Sequence, residues 1–356
     1  MSEAAAVVLS VGLACPLGLR ARPALAALRA GIRRFHERDD VFDLAGEPAR
    51  ACYLQSLDPN LSSGERAGFF AQHAVRDMLY SVAQTQVGRV SVYLAGAEPG
   101  RAASGAGSAE AVARVVARML DSHSRWEIAT AMPRFGQGAA GTFWALHSAT
   151  QAIAHGETEL ALVGGADSLV DPSSLQSWAA SNRLLGRSNG DGAIPGEGAA
   201  FVLLGPSRVD LARYGLARVH AVATAEQAAF AAYAPATGEG LTAVFRALQQ
   251  QLDGRTDEII VAQPPCVKWS REVSFASLRC AALMPEPFRH TWLGAALGDT
   301  GAASGALALV HAVAALQPWW RRAGRETCRR TLAAGMSEEG WVGAGLLASV
   351  REEAAT

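Results

Sequence analysis

The sequence predicts an α/β protein in which a mostly parallel sheet is covered by helices, and three observations lead there. Short apolar runs of strand length alternate with longer segments of helical period. The strand and helix grammar of the first part of the chain is repeated in the second. The composition also calls for a large core: 356 residues, 50% hydrophobic and only 18% charged, with a mean hydropathy of +0.11, exceed what one average domain of roughly 100–200 residues would bury.

Taken in order, Ala6 to Leu13 (AVVLSVGL) is a continuous apolar run closed by Cys15-Pro16-Leu17-Gly18, the pattern of a strand buried on both faces and ended by a turn. A helix follows from Ala24 to Gly31. Arg66 to Ala83 places Phe69, Phe70, Ala74, Met78, Leu79 and Val82 at helical spacing, and Arg89 to Leu94 is again a strand. Ala102 to Ala109 (AASGAGSA) reads as a loop or a close helix approach, Ala109 to Leu120 and Thr142 to His155 as helices, and Leu160 to Val163 as the next buried strand. A glycine-rich stretch from Gly186 to Gly192 precedes a strand at Ala199 to Leu204, and Gly205-Pro206 suggests a boundary, so that residues 1–205 and 206–356 form two similar halves. Beyond it lie strands at Leu216 to Ala223 and Glu258 to Ala262, a helix at Leu241 to Leu252 and a long buried helix at Gly301 to Leu316.

Net charge is −1, from 32 basic and 33 acidic residues, so no field is available to hold a polyanion and nucleic acid is not an expected partner. The apolar stretch at Gly301 to Leu316 is shorter than the roughly 20 residues that span a bilayer, so no membrane role is expected. Five scattered cysteines without a C-x-x-C pair argue against a disulfide framework or a zinc knuckle, and eight histidines form no metal-ligand pair, so neither metal nor other cofactor is expected. Glu3 at the start of the chain, with no basic segment before Val7 to Val11, argues against a signal peptide, and a cytoplasmic location is the expectation.

Four stretches together resemble the β-ketoacyl synthase family of the thiolase fold. They are Val7 to Gly18 with Leu28-Arg29-Ala30-Gly31-Ile32; His155-Gly156 through Gly164-Gly165-Ala166-Asp167; Gly196-Glu197-Gly198-Ala199-Ala200; and Leu297-Gly298-Asp299-Thr300-Gly301-Ala302-Ala303. They run in family order from end to end. The resemblance implies two similar α/β halves stacked in five layers, helix, sheet, helix, sheet, helix, assembled as a dimer. The strand at Glu159 to Val163, poor in charge, is the edge expected to pair across the two-fold axis.

The family works through a cysteine at a helix start, where the dipole lowers the thiol pKa, and two histidines. By the family's spacing, the cysteine position here is Ala139, in Gly136-Gln137-Gly138-Ala139-Ala140-Gly141. The first histidine position, after Ile259-Ile260-Val261-Ala262, is Gln263, and the second, before a glycine-alanine-alanine helix start, is Asp299. The glycine-rich oxyanion loop is reduced to Glu339-Gly340-Trp341-Val342-Gly343. A methyl, an amide and a carboxylate cannot do the work of a thiolate and two imidazoles, and an ionised Asp299 would repel an enolate, so the resemblance implies a member that does not condense. Neither remaining candidate thiol, Cys15 or Cys266, is expected to open a helix.

Several single motifs have plain structural readings. Gly136 to Gly141 fits G-x-G-x-x-G, but no buried strand precedes it, and small residues at a crowded helix start explain it better than a dinucleotide. Asp299 reads as the N-cap of the helix that follows; Asp299, Ser304 and His311 lie too far apart along a helix to form a triad. Glu197 reads as a turn or pocket-wall carboxylate, and Gln137, Glu197 and Cys266 are the remaining pocket candidates. Trp319-Trp320 before Arg321-Arg322 reads as a core edge. The function expected is that of a binding or assembly accessory, with an acyl group as a further ligand. Its protein partner would be a second copy, a ketosynthase or a secretion component. The family sets out two such roles: an adaptor for type VI secretion effectors is the expectation, because all three active-site residues and the oxyanion loop are lost, and a chain-length factor beside an active ketosynthase is the alternative. An enzyme with new acyl chemistry at Asp299, Glu197 or Cys266 is the reading of a different class.

Overall fold

The computed structural model describes residues 6–82, 88–122, 126–129, 132–207, 215–228, 235–320 and 328–350. Its first half contributes the strands β1 (Ala6–Ala14), β4 (Gly88–Ala95), β5 (Trp126–Ile128), β7 (Leu160–Ser168) and β8 (Glu197–Pro206), hydrogen-bonded in the order β5-β4-β7-β8-β1. The second half contributes β9 (Ala217–Glu226), β10 (Glu258–Val261), β11 (His290–Trp292), β12 (Arg330–Met336) and β13 (Trp341–Ala348), in the order β11-β10-β12-β13-β9. The two orders are the same. A three-residue pairing of β1 with β9, Ala6 to Val8 against Ala217 to Val219, makes the two sets continuous. A short hairpin, β2 (Phe35–Phe42) and β3 (Pro48–Cys52), stands apart, and β6 (Arg134–Phe135) pairs only with β4.

The sheet is mixed rather than mostly parallel. Parallel pairing is confined to β4 with β5, β6 and β7, and to β10 with β11 and β12; the other neighbours are antiparallel. Strand and helix alternation implies parallel neighbours only where a helical crossover joins them. Here β12 turns directly into β13 through Ser337 to Gly340, and β7 returns to β8 through the excursion at 169–196.

Side chains alternate along the strands, and the two faces feed different cores. Val90, Val92, Leu94, Leu160, Leu162, Phe201 and Leu203 face α2 (Ser63–Ser81) and α3 (Ala102–Asp121), while Tyr93, Ala161, Val163, Ala200, Val202 and Leu204 face α4 (Gly141–Ala154) and α9 (Ser304–Ala315). In the second half Ile259, Val261, Leu332, Ala334 and Leu346 face α6 (Glu239–Gln249) and α7 (Val267–Arg279), and Ile260, Ala333 and Leu347 join the central core. The result is the five-layer, thiolase-like arrangement. The stretch Ala102–Ala109 belongs to helix α3. The helices α1 (Ala21–Arg29), α5 (Pro172–Ala180) and the one-turn α8 (Gly294–Leu297) complete the described set. Asp171 caps α5 through the Ser174 N–H with Pro172 at its first turn, and a reciprocal Ser62–Glu65 capping box opens α2.

The strand expected to be a dimer edge is interior: β7 lies between β4 and β8 and has hydrogen bonds on both sides. Among the described residues the sheet ends at β5 and β11. Charge-poor sequence marks burial, and β7 is buried at every position because neighbours flank it as well as cover it.

Candidate functional site

Ala139, Gln263 and Asp299 line one cavity of about 310 Å³. They reach it from separate elements: Ala139 from the turn before α4, Gln263 from the end of β10, and Asp299 from the loop before α9. The cavity also takes Glu98 and Arg101 from beyond β4 and the turn after β12, so it sits where α/β sheets place ligands, outside the carboxyl ends of strands. Trp178, Arg183 and Trp269 close it.

The turn that presents Ala139 is fixed by backbone. Gly96 at the end of β4 donates to the Phe135 carbonyl at 2.8 Å and accepts from the Gly138 N–H at 3.0 Å. Gly138 has φ +55°, where a β-carbon is strained, and one there would also strike the Glu98 carboxylate. One turn of 3-10 helix, Gly138–Ala140, then leads into α4. The Ala139 carbonyl is wedged between Gly305 and Gly335, either of which would clash with it if it carried a side chain. Crowding by small residues thus accounts for the glycine-rich motif without a dinucleotide.

Glu98 was not foreseen from the sequence. Its two carboxylate oxygens accept from the Glu338 and Glu339 backbone N–H groups, each at 3.3 Å. These are the donors of the turn that stands where the family's oxyanion loop is expected. Burial, and then repulsion from Glu338, lift the Glu98 carboxyl to about 7. Arg101 donates to Asp167 at 2.7 Å, and Arg183 pairs with Glu338 at 2.8 Å while lying 4.5 Å over the Trp178 ring. The strand-end rule that locates the cavity is the signal that could have found Glu98 and Arg101; Trp178 and Trp269, distant in sequence, carry none.

Asp299 does not cap α9 itself. Its Oδ1 accepts the Gly301 N–H at 2.8 Å, closing the loop before the 3-10 turn Gly301–Ala303, and α9 begins only at Ser304. The Ala302 N–H goes to Asp167 Oδ2 at 2.9 Å instead. A glycine at φ +57° turns the chain away before the helix, so a residue two places upstream reaches the turn and not the helix. Burial raises the Asp299 carboxyl, against the lowering effect of Arg101.

The other pocket candidates lie elsewhere. Glu197 is fully buried and paired in a fork with Arg66 at 2.7 and 2.8 Å, with Ser168 Oγ and the Leu54 N–H completing its bonds at 2.9 Å each. It is a structural ion pair, invisible in a sequence that separates the partners by 131 positions. Cys266, contrary to expectation, does open a helix, as the N-cap of α7; Pro264-Pro265 before it stops the strand and leaves the chain extended. Burial still pushes its thiol up, so the position does not make a thiolate. Cys15 lies in the turn after β1, its thiol pushed by burial to about 12. Gln137 precedes the Ala139 turn with a buried Oε1 that has no partner, and it is not among the lining residues. His311 packs its ring 4.9 Å from Trp320, away from the cavity, and Trp320 packs on the central core while Trp319 is 43% exposed beneath Arg22. Arg321 and Arg322 fall outside the described residues. No group of three or more metal-ligating side chains occurs among the described residues, and no described helix is long and apolar enough to cross a membrane.

Comparison with known proteins agrees with this fold. The β-ketoacyl synthase N-terminal domain family matches residues 137–209, beginning at the Ala139 turn. Polyketide synthase ThaG of Burkholderia thailandensis is 32% identical over 199 residues, 50% of this chain but only 3% of that far longer protein. Among solved structures, a type II polyketide synthase acyl-carrier protein in complex with its ketosynthase superposes with a TM-score of 0.76 at 13% identity, covering 98% of this chain and 100% of the other. The ishigamide ketosynthase/chain length factor gives 0.71 at 19% identity, over 97% and 98%. A β-ketoacyl synthase of Burkholderia phymatum gives 0.71 at 17%, over 98% and 100%.

Proposed function

We propose, for a chain whose residues 137–209 match the β-ketoacyl synthase N-terminal domain family and whose fold is that of the ketosynthases, a role as a binding or assembly component that does not condense acyl groups. One observation carries this reading: the cavity that gathers Ala139, Gln263 and Asp299 offers no thiol or imidazole among its lining residues, and the turn donors that would face an oxyanion are engaged by the Glu98 carboxylate. A carboxyl group already resident on those donors leaves them engaged. The reading in which new chemistry uses Glu197 or Cys266 loses support, because one is locked in a buried ion pair and burial pushes the thiol of the other up, away from the reactive thiolate.

Of the two partner assignments, an active ketosynthase has the more specific support, the likeness along nearly the whole chain to the ishigamide ketosynthase/chain length factor. Adaptor work in type VI secretion is a role of the same accessory class. Pairing with a second chain, when it uses a strand edge, would use β5 and not β7. Two measurements test the proposal. Incubation with labelled acyl-CoA or acyl carrier protein should leave no covalent adduct after denaturation, and a tagged chain should co-purify from its native host with a ketosynthase. An acyl adduct on any residue of the 138–142 turn overturns inactivity; capture of a secretion component in place of a ketosynthase decides between the partners.

A further inference from the structure

Helices α2 and α3 pack side by side and leave between them an open groove of about 440 Å³. Its floor is Leu61, Phe69 and Val115, and Gly64 and Gly68, one turn apart on α2, bring no side chain to fill it. A β-carbon on Gly68 would find room, touching Val115 at an ordinary 3.5 Å. Arg114 and Arg118, one turn apart on α3, line the same groove; both are exposed and neither has an ion pair or side-chain hydrogen bond among the described residues. Glu65, an acid at the rim, is turned back to Ser62 in the capping box. The groove is therefore apolar within and cationic along its α3 side.

The tip of the β2–β3 hairpin has the opposite character. Phe42 and Leu44 are 52% and 63% exposed on it. The turn that carries them is rigid: Asp43 Oδ1 accepts the Ala45 and Glu47 N–H groups at 2.8 and 2.9 Å, the Asp43 N–H donates to the Glu47 carbonyl at 2.8 Å, and Gly46 supplies the reversal at φ +78°. Acids surround it. Asp39, in the bulge before the tip, is exposed and has no ion pair among the described residues. Asp40 and Glu47 pair with Arg38 and Arg187 and keep about half of their side chains in solvent, 49% and 50%. Of the hairpin's own arginines, Arg38 is buried and Arg50 is turned to the Leu185 carbonyl at 3.3 Å. A preformed turn that holds two large apolar side chains in water is built to bury them elsewhere, and its rigidity lowers the entropy lost on docking.

We propose that the hairpin tip of one copy of this chain docks in the α2–α3 groove of a second copy. Phe42 and Leu44 lie on Leu61, Phe69 and Val115, and the acids beside the tip meet Arg114 and Arg118. A foreign acidic segment would also suit the groove, but it would leave the exposed tip without a purpose. A second copy accounts for both features with one contact. The contact joins unlike surfaces, so each copy can give one tip and receive another. Opposite charges steer the encounter and make it sensitive to salt. It uses neither the Ala139 cavity nor the β5 edge, and it is independent of which other protein the chain serves.

The test is sedimentation velocity on the whole chain, comparing the parent with two variants over about 1 to 200 µM. The tip variant is Phe42→Ser with Leu44→Ser, and the groove variant is Arg114→Gln with Arg118→Gln. Each should associate at least about tenfold more weakly than the parent while keeping a cooperative melting transition, and the parent should associate more weakly at about 1 M salt than at about 0.1 M. The tip variant keeps its groove and the groove variant keeps its tip. An equimolar mixture should therefore associate at concentrations where neither variant does alone. Pairing through β5 would persist unchanged in both variants and their mixture. The proposal is overturned when both variants associate as the parent does, when parent and variants share one mass at every concentration, or when the mixture stays as dissociated as its components. None of these masses bears on acyl labelling or on co-purification with a ketosynthase, so the two proposals fail separately.

Discussion

The two halves make the same turn twice, and only one is tied down by side chains. Gln137-Gly138-Ala139-Ala140 and Thr300-Gly301-Ala302-Ala303 share a first residue at φ −101°, a glycine at φ +55° or +57° and one turn of 3-10 helix before a buried helix. Each packs under a strand of the opposite half, Ala139 below Gly335 of β12 and Ala302 below Gly165 of β7, at distances that exclude a β-carbon. Two places after those glycines come Ser337 and Asp167. Asp167 accepts the Ala302 N–H and pairs with Arg101, whereas Ser337 Oγ is buried without a partner. In the second turn Asp299 and the 2.8 Å Thr300–Ser304 hydroxyl pair add further bonds. The first has no side-chain cap, although both turns border the cavity. The comparison teaches that the backbone of the site is set by close packing, so it persists without reactive groups, while side-chain stabilisation is concentrated on the turn away from the nucleophile position.

The comparison breaks most visibly at Asp167. Asp167→Ala strips the cap from Ala302 and removes the carboxylate 2.7 Å from Arg101, and chemical denaturation should show a loss of about 3–5 kcal/mol. Asp299→Ala removes one N–H acceptor from the same turn and should cost roughly 0.5–2 kcal/mol by the same measurement. A smaller signature concerns Glu98. Its folded pKa, about 7, stands above the unfolded carboxyl value of 4.5, so between them the folded state binds more protons and stability falls as pH rises. Because the group is partly solvent-screened the whole slope should amount to roughly 1 kcal/mol or less, and Glu98→Gln should flatten it in a series of melts across that window. Ser337→Ala deletes a hydroxyl that bonds to nothing and should change stability by no more than about 0.5 kcal/mol; a loss as large as that at Asp167 would show that the first turn is capped after all.

Much of this was legible in the chain. Continuous apolar runs gave β1, β4, β7 and β10, helical spacing gave α2, α4 and α6, and the glycine-alanine-alanine motifs located both turns, because local sterics and periodicity dictate these features. Three positions far apart in sequence, Ala139, Gln263 and Asp299, fall in one cavity, an outcome that motif order suggested and composition could not. What stayed hidden depends on contacts between remote residues. The Arg66–Glu197 pair, the reach of Glu98 to the 338–339 turn and the antiparallel return of β8 leave no local trace. Cys266 was misjudged because two prolines hide the helix behind them. The β2–β3 hairpin has a first strand charged from Glu37 to Asp40, with no apolar alternation there to announce it.

Helix α9 has one more consequence, for the way the chain is made. All twelve of its residues are buried, and it shares its core with α4 and the inward faces of both strand sets. Neither half could hide it alone. During synthesis, β1, α4, β7 and β8 are complete long before residue 304 leaves the ribosome, and their central face stays uncovered until α9 and β12 arrive. The chain should therefore fold as one cooperative unit, and a fragment ending after β8 should collapse into aggregates rather than persist as a stable domain.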